Sequence, residues 1–212
     1  MKPFIENHQY VFIREKARQI VHARHTVHDR HVQETFIDNS QFYVYEQFQT
    51  LTDDQRECLN DLSEIRTEAD YERFLSELVK WRIPFPALSD AQLTKLFRKV
   101  KKLQYPLLPQ EQMEELTYFG WTHNERKFIV KAVDGSLRGI SGRITPSSKQ
   151  GLCHFCHKQA EVGLFSVERK VRGKSMNYQA FAHYICQDSM QCNQHLANVE
   201  RIDAFMREAL GL

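Results

Sequence analysis

The chain has 212 residues, 42% of them hydrophobic and 26% charged, with a formal net charge of +2. This is the composition of an ordinary globular protein, with room for one large domain or two small ones. No apolar run approaches the roughly 18–20 residues of a membrane span, and the start MKPFIENHQYVFIREKARQ lacks the apolar core of a signal peptide, so a cytoplasmic protein with reduced thiols is expected.

Charge and cysteine are distributed unevenly. Residues 1–119 carry 16 Lys and Arg against 19 Asp and Glu, whereas residues 120–212 carry 13 against 8. Cys58 stands alone, while Cys153, Cys156, Cys186 and Cys192 all fall in the second part. An α+β chain is expected, with an N-terminal helical bundle over 1–119 and a differently built domain over 120–212.

The first hundred residues read as helices. In PFIENHQYVFIREKARQIVHA, Phe4, Ile5, Val11, Phe12, Ile20 and Val21 recur at helical spacing. Thr52 caps LTDDQRECLNDLSEIRT, with Asp53 and Asp54 in the first turn where the helix dipole favours them. Thr67 caps the next helix, which puts Tyr71, Phe74, Leu75, Leu78 and Trp81 on one stripe and stops at Pro84 and Pro86. Ser89 then opens SDAQLTKLFRKVKKL, a predicted fifth helix carrying Arg98, Lys99, Lys101 and Lys102. That run reads first as a solvated helix face, and RNA phosphate is the alternative partner.

After Trp121 the pattern changes to strands. ERKFIVKAVDGSLRGISGRI flanks Asp134-Gly135, a tight hairpin turn, and EVGLFSVERK and MNYQAFAHYIC also read as strands. SMQCNQHLANVERIDAFMREAL reads as one final helix.

The late cysteines read C-x2-C at 153 and 156, then C-x5-C at 186 and 192. The first pair lies in a turn before a hairpin; the second runs from a strand end into a helix N-terminus. That order of knuckle, hairpin, strand and helix is the treble-clef arrangement, whose four soft sulfurs suit one tetrahedral, structural Zn2+. Buried free thiols and a redox pair are the competing readings, and His154, His157, His183 or His195 is near enough in sequence to replace one ligand. Cys58 reads as a small apolar filler.

His22, His25, His28 and His31 recur every third residue, a step that drifts about 60° around a helix each time and so disperses them. No paired carboxylates, phosphate loop, nucleophile elbow or H-E-x-x-H motif appears, and no enzyme is expected. Arg169, Lys170, Arg172 and Lys174 form a basic hairpin tip that suits an acidic protein surface or RNA equally well. Phe155 reads as core beside the metal, whereas Tyr184 and Phe205 read as core or as exposed anchors.

Taken together, HQYVFIR, PFPALSDAQLTKLFRKVKKL, FGW at 119–121, RKFIVKAVDGSLRGISGRI, GLCHFC and YICQDSMQCN resemble, in that order, the FusB/FusC family of elongation factor G-binding proteins, some of which carry a fibronectin-binding label. The resemblance implies a helical N-terminal bundle, a treble-clef-like zinc domain and no catalysis. It implies binding of elongation factor G, mainly through the zinc domain, and release of that factor from ribosomes on which fusidic acid has trapped it. The four cysteines match the family's metal ligands, and Tyr184 and Phe205 fall where it places aromatic partner contacts. Leu152 stands where resistance members carry phenylalanine, and Phe181 where they carry lysine. The expected partners are therefore elongation factor G and, transiently, the ribosome or its RNA, with no membrane and no small-molecule substrate. The alternative is an RNA-binding zinc module acting on the ribosome through residues 98–102 and 169–174; a weaker one is a hydrolase built on the histidine row.

Overall fold

The computed structural model describes residues 1–170 and 178–212, over which the chain divides into two units, Met1–Ile83 and Pro84–Leu212.

The first unit is helical: α1 (Asn7–Thr26), α2 (Arg30–Tyr45), α3 (Asp53–Glu64) and α4 (Glu68–Leu78), then a single 3-10 turn, Val79–Trp81. Each helix start is built by a side chain. Asp29 accepts from the N–H groups of His31 and Val32, while Thr52 with Gln55, and Thr67 with Asp70, form reciprocal capping boxes. The predicted stripe on α4 holds: Tyr71, Phe74, Leu75 and Leu78 are buried against Ile13, Ala17 and Ile20 of α1 and Leu59 and Leu62 of α3, with Trp81 half-buried. The N-terminus is tied in by the Ile5–Arg82 bridge and by the Arg82 guanidinium, which donates to Asn7 Oδ1 (2.7 and 2.9 Å).

The histidine row does not lie on one helix. His22 and His25 end α1, His28 sits in the link, and His31 opens α2, because Asp29 caps a new helix inside the row. Among the described residues the four late cysteines are the one cluster of potential metal ligands.

The second unit contains α5 (Asp90–Leu96), α6 (Gln110–Glu114), the strands β1 (Phe119–His123), β2 (Arg126–Val133), β3 (Ser136–Leu152), β4 (Gln159–Lys170) and β5 (Tyr178–Cys186), then α7 (Ser189–His195) and α8 (Glu200–Leu210). The strands form one antiparallel sheet in sequence order, β1-β2-β3-β4-β5. Asp134 and Gly135, both at positive φ (49° and 71°), make the two-residue turn between β2 and β3, with Val133 opposite Ser136.

The sheet is covered on both faces at β2. Phe128 and Val130 join Phe85, Leu93, Phe97, Phe119 and Trp121 on the α5 side, where Trp121 stacks on Phe128 at 4.9 Å. Ile129 and Val133 point the other way, into a core with Phe165, Ile185, Ile202, Phe205 and Met206.

Three expectations need correction. The boundary falls at 83/84 and not at 119/120, because α5 delivers Leu93 and Phe97 to the sheet and so belongs to the second unit. The fifth helix ends early: the chain leaves helical geometry at Phe97 (φ −116°, ψ 44°), whose ring packs edge-on against Trp121 and Phe128, so Lys99, Lys101 and Lys102 lie beyond the helix. The last helix is two helices. Leu196 turns inward, fully buried, and the Asn198 side chain accepts from the Glu200 N–H (2.7 Å) to start α8.

Candidate metal centre and its surroundings

Cys153 and Cys156 lie in the turn between β3 and β4, Cys186 ends β5, and Cys192 lies in α7. All four are buried, and their sulfurs lie within 4.8 Å of one another. Two separations are informative: Cys153 Sγ to Cys192 Sγ is 3.9 Å, and Cys156 Sγ to Cys186 Sγ is 3.7 Å. A disulfide needs about 2.05 Å, whereas a tetrahedron with Zn–S bonds of about 2.3 Å has edges of about 3.8 Å. The sulfurs therefore outline a zinc tetrahedron. With four protein ligands no position is left for water, so the zinc this site takes is structural.

The backbone supports the sulfurs. The Cys186 N–H donates to Cys153 Sγ (3.3 Å), and the His154 N–H donates to the Tyr184 carbonyl (2.8 Å), tying the knuckle to β5. Crowding drives the thiols apart: hydrogen bonds from Cys156, Cys186 and Cys192 hold the Cys153 thiol low, and interaction with Cys153 and the other thiols pushes Cys192 up. A divalent cation is what allows four thiolates to coexist at this spacing.

Two residues that sequence reasoning did not single out complete the centre. Asn193 uses its whole amide: Oδ1 accepts from the N–H groups of Thr117 (2.8 Å) and Tyr118 (3.1 Å), and Nδ2 donates to the carbonyls of Tyr118 (3.0 Å) and Ser189 (2.7 Å). It thus fastens the metal-bearing α7 to the chain entering β1. Asn193→Ala leaves buried backbone groups unpaired and is expected to cost about 2–4 kcal/mol, read from urea denaturation. A midpoint equal to that of wild type would show that the amide fastens nothing.

Lys127 is fully buried on the α7/α8 side of β2, its Nζ donating to the Gln187 carbonyl at 2.7 Å. Burial pulls its pKa down to about 8, against the opposing pull of Cys192, Cys186 and Asp188. Four thiolates around Zn2+ carry two excess negative charges, and Lys127 supplies a compensating positive charge inside the core. Lys127→Met keeps the volume and removes the charge, so zinc affinity should fall about 10–100-fold in competition with a chromophoric chelator. An unchanged affinity would mean that the lysine acts only through Gln187.

The expected partner residues separate. Tyr184 lies directly opposite Leu164 in the β4–β5 register; both are exposed, at 52% and 37%. Leu152, 55% exposed, ends β3 two residues before His154. Phe181 is half-buried against the core, with the Arg169 guanidinium 5.6 Å above its ring. Arg169 also donates to Gln179 Oε1 (3.1 Å), and Lys170 is exposed. Arg172 and Lys174 lie outside the described residues. Phe205 is a correction: it is 1% exposed, locked among Phe155, Phe165 and His183 at centroid distances of 5.6–5.7 Å, because the inner face of α8 must cover the sheet. The buried Phe155 takes the core role expected of it.

A short cysteine knuckle, a β-hairpin, a strand ending in a ligand and a helix carrying the last ligand define a treble-clef zinc finger. Residues 91–209 match the family described as FBP C-terminal treble-clef zinc-finger, and residues 4–86 match that described as elongation factor G-binding protein, N-terminal. The chain belongs to this family of elongation factor G-binding proteins. Among solved structures it is similar to that of the fusidic acid resistance protein FusC, with 29% identity, 96% of each chain covered and a TM-score of 0.79. A search of the curated proteins returned no match. No helix of the described residues is long and apolar enough to cross a membrane.

Proposed function

We propose that this protein binds translation elongation factor G through the outer surface of its zinc module and promotes release of the factor from the ribosome, relieving stalling of the kind fusidic acid causes. Membership of the elongation factor G-binding family and similarity to FusC over nearly the whole chain support the partner. The observation that carries the surface is the exposed Leu164–Tyr184 pair with Leu152 close by in the chain path. Apolar side chains left in water beside a rigid metal core are what a partner interface uses as anchors.

The action is thermodynamic. A protein that prefers a conformation of the factor less compatible with the ribosome shifts the equilibrium towards dissociation, by no more than its differential affinity for the two conformations. Its place of action is the cytoplasm. No bond is broken, and the four-sulfur cage activates no water.

Size-exclusion chromatography of the protein mixed with purified elongation factor G tests the reading. A one-to-one complex carrying one zinc per chain is expected, and adding the protein should restore translation stalled by fusidic acid. Separate peaks with zinc retained would remove elongation factor G as the partner.

A further inference from the structure

One cationic surface of the second unit is not used by the zinc module's apolar face. His123, Arg126 and Arg143 stand side by side across β1, β2 and β3, since His123 pairs with Arg126 and Arg126 with Arg143. Facing residues on neighbouring strands hold their Cβ atoms about 4.5–5.5 Å apart, so like charges there cost stability. Arg126 and Arg143 are both exposed. Glu125 offers Arg143 an ion pair at 3.8 Å, yet among the described residues Lys101, Lys102, His123 and Arg126 have none. Some exposed cations elsewhere are matched, as in Arg18–Glu68, Arg30–Glu34, Arg73–Asp70, Lys80–Glu77 and Arg207–Asp134, and what sets this patch apart is that its cations face one another across adjacent strands.

These side chains border a cleft of about 610 Å3, lined by Lys101, Lys102, His123, Arg126 and Arg143, with Val100 and Phe128 also contributing to its wall. Asn124 and Glu125, at positive φ (48° and 59°), form the two-residue hairpin turn that sets His123 opposite Arg126, and both line the same cleft. Cations that face one another across adjacent strands, only one of them answered by a carboxylate, mark a surface suited to an anionic ligand.

The geometry points to a binding site for the phosphodiester backbone of single-stranded RNA along the row His123–Arg126–Arg143, with Lys101 and Lys102 on its rim. Cations set on three successive strands of a rigid sheet give a phosphate chain several points of contact, and guanidinium groups take phosphate oxygens two at a time. The apolar part of the wall offers a surface for sugar and base beside those charges. An acidic polypeptide is the competing occupant, but it would leave that apolar surface unused. This inference is independent of elongation factor G binding.

Fluorescence anisotropy with a labelled single-stranded RNA of about 12 nucleotides tests it, using the full chain and no translation factor. Binding should weaken steeply with salt, and Arg126→Ala with Arg143→Ala should weaken it about tenfold or more. The double variant should also lower the log–log salt slope by about 1.4, at roughly 0.7 per phosphate contact. Lys2→Ala with Lys149→Ala removes equal charge from exposed positions elsewhere and should leave binding near wild type. Zinc content and circular dichroism establish that each variant folds. No RNA binding at low salt, equal losses in the two double variants, or tighter arginine-dependent binding of poly-L-glutamate than of RNA would overturn the assignment.

Discussion

Removing the zinc, by a strong chelator or by Cys192→Ser, is expected to unfold the second unit while leaving the helices of the first in place. The four sulfurs are continuous with the core made by Phe155, Ile185, Leu196, Phe205 and Met206, so the metal is bound by the same packing that holds α7 and α8 to the sheet. Structural zinc contributes on the order of 10 kcal/mol of apparent binding energy, against a typical domain stability of about 5–15 kcal/mol. Near-ultraviolet circular dichroism should report the loss strongly, because both tryptophan neighbourhoods are not equal in it: Trp121 is stacked in the second unit, whereas Trp81 lies in the first. The helical signal should fall only in part, since α1 to α4 have their own core. A metal-free chain that keeps its full near-ultraviolet signal would show that the sheet does not depend on zinc.

Tyr184→Ala should reduce affinity for elongation factor G about 30-fold, the effect of losing an interface anchor worth about 2 kcal/mol. Zinc content and thermal midpoint should not move, because the ring is half in solvent and the residue's link to the knuckle runs through its backbone carbonyl. Leu164→Ala, which removes the cross-strand neighbour, should act in the same direction with a smaller effect. Phe205→Ala behaves differently: its buried ring makes a core cavity costing about 3–5 kcal/mol, so any loss of binding there should accompany loss of stability. If Tyr184→Ala binds like wild type at unchanged stability, the docking surface lies elsewhere on the chain.

Much of this was legible from residue chemistry alone. The cysteine spacing identified the metal ligands because soft ligands in two close pairs leave few alternatives. Thr52, Thr67 and Ser89 marked helix starts because capping is local, and Asp134-Gly135 marked its turn for the same reason. What escaped depends on tertiary contacts. Lys127 and Lys131 stand four residues apart on one face of β2 with Ile129 between them, and nothing in that local pattern says that the face is covered. Both are buried: α8 covers that face and answers Lys131 with Asp203 at 2.6 Å, while Gln187 answers Lys127. Phe205 shows the same limit, since its spacing places it on a helix but not on which side the sheet lies. The boundary was misplaced because the composition change at residue 120 marks the start of the strands, whereas the unit begins where α5 is needed to cover them.

The position of α7 has a consequence for solubility. β1 and β5 are the two edge strands of the sheet, and α7 touches both: it follows Cys186 directly, and Asn193 grips the backbone at Tyr118. Edge strands carry unpaired N–H and C=O groups that recruit other chains, and proteins suppress this by covering them. Here the cover is itself held by a metal ligand, Cys192. A molecule that loses its ion loses this cover along with its fold, so the strand segments of zinc-starved protein should pair between chains, and oligomers are expected on size-exclusion chromatography.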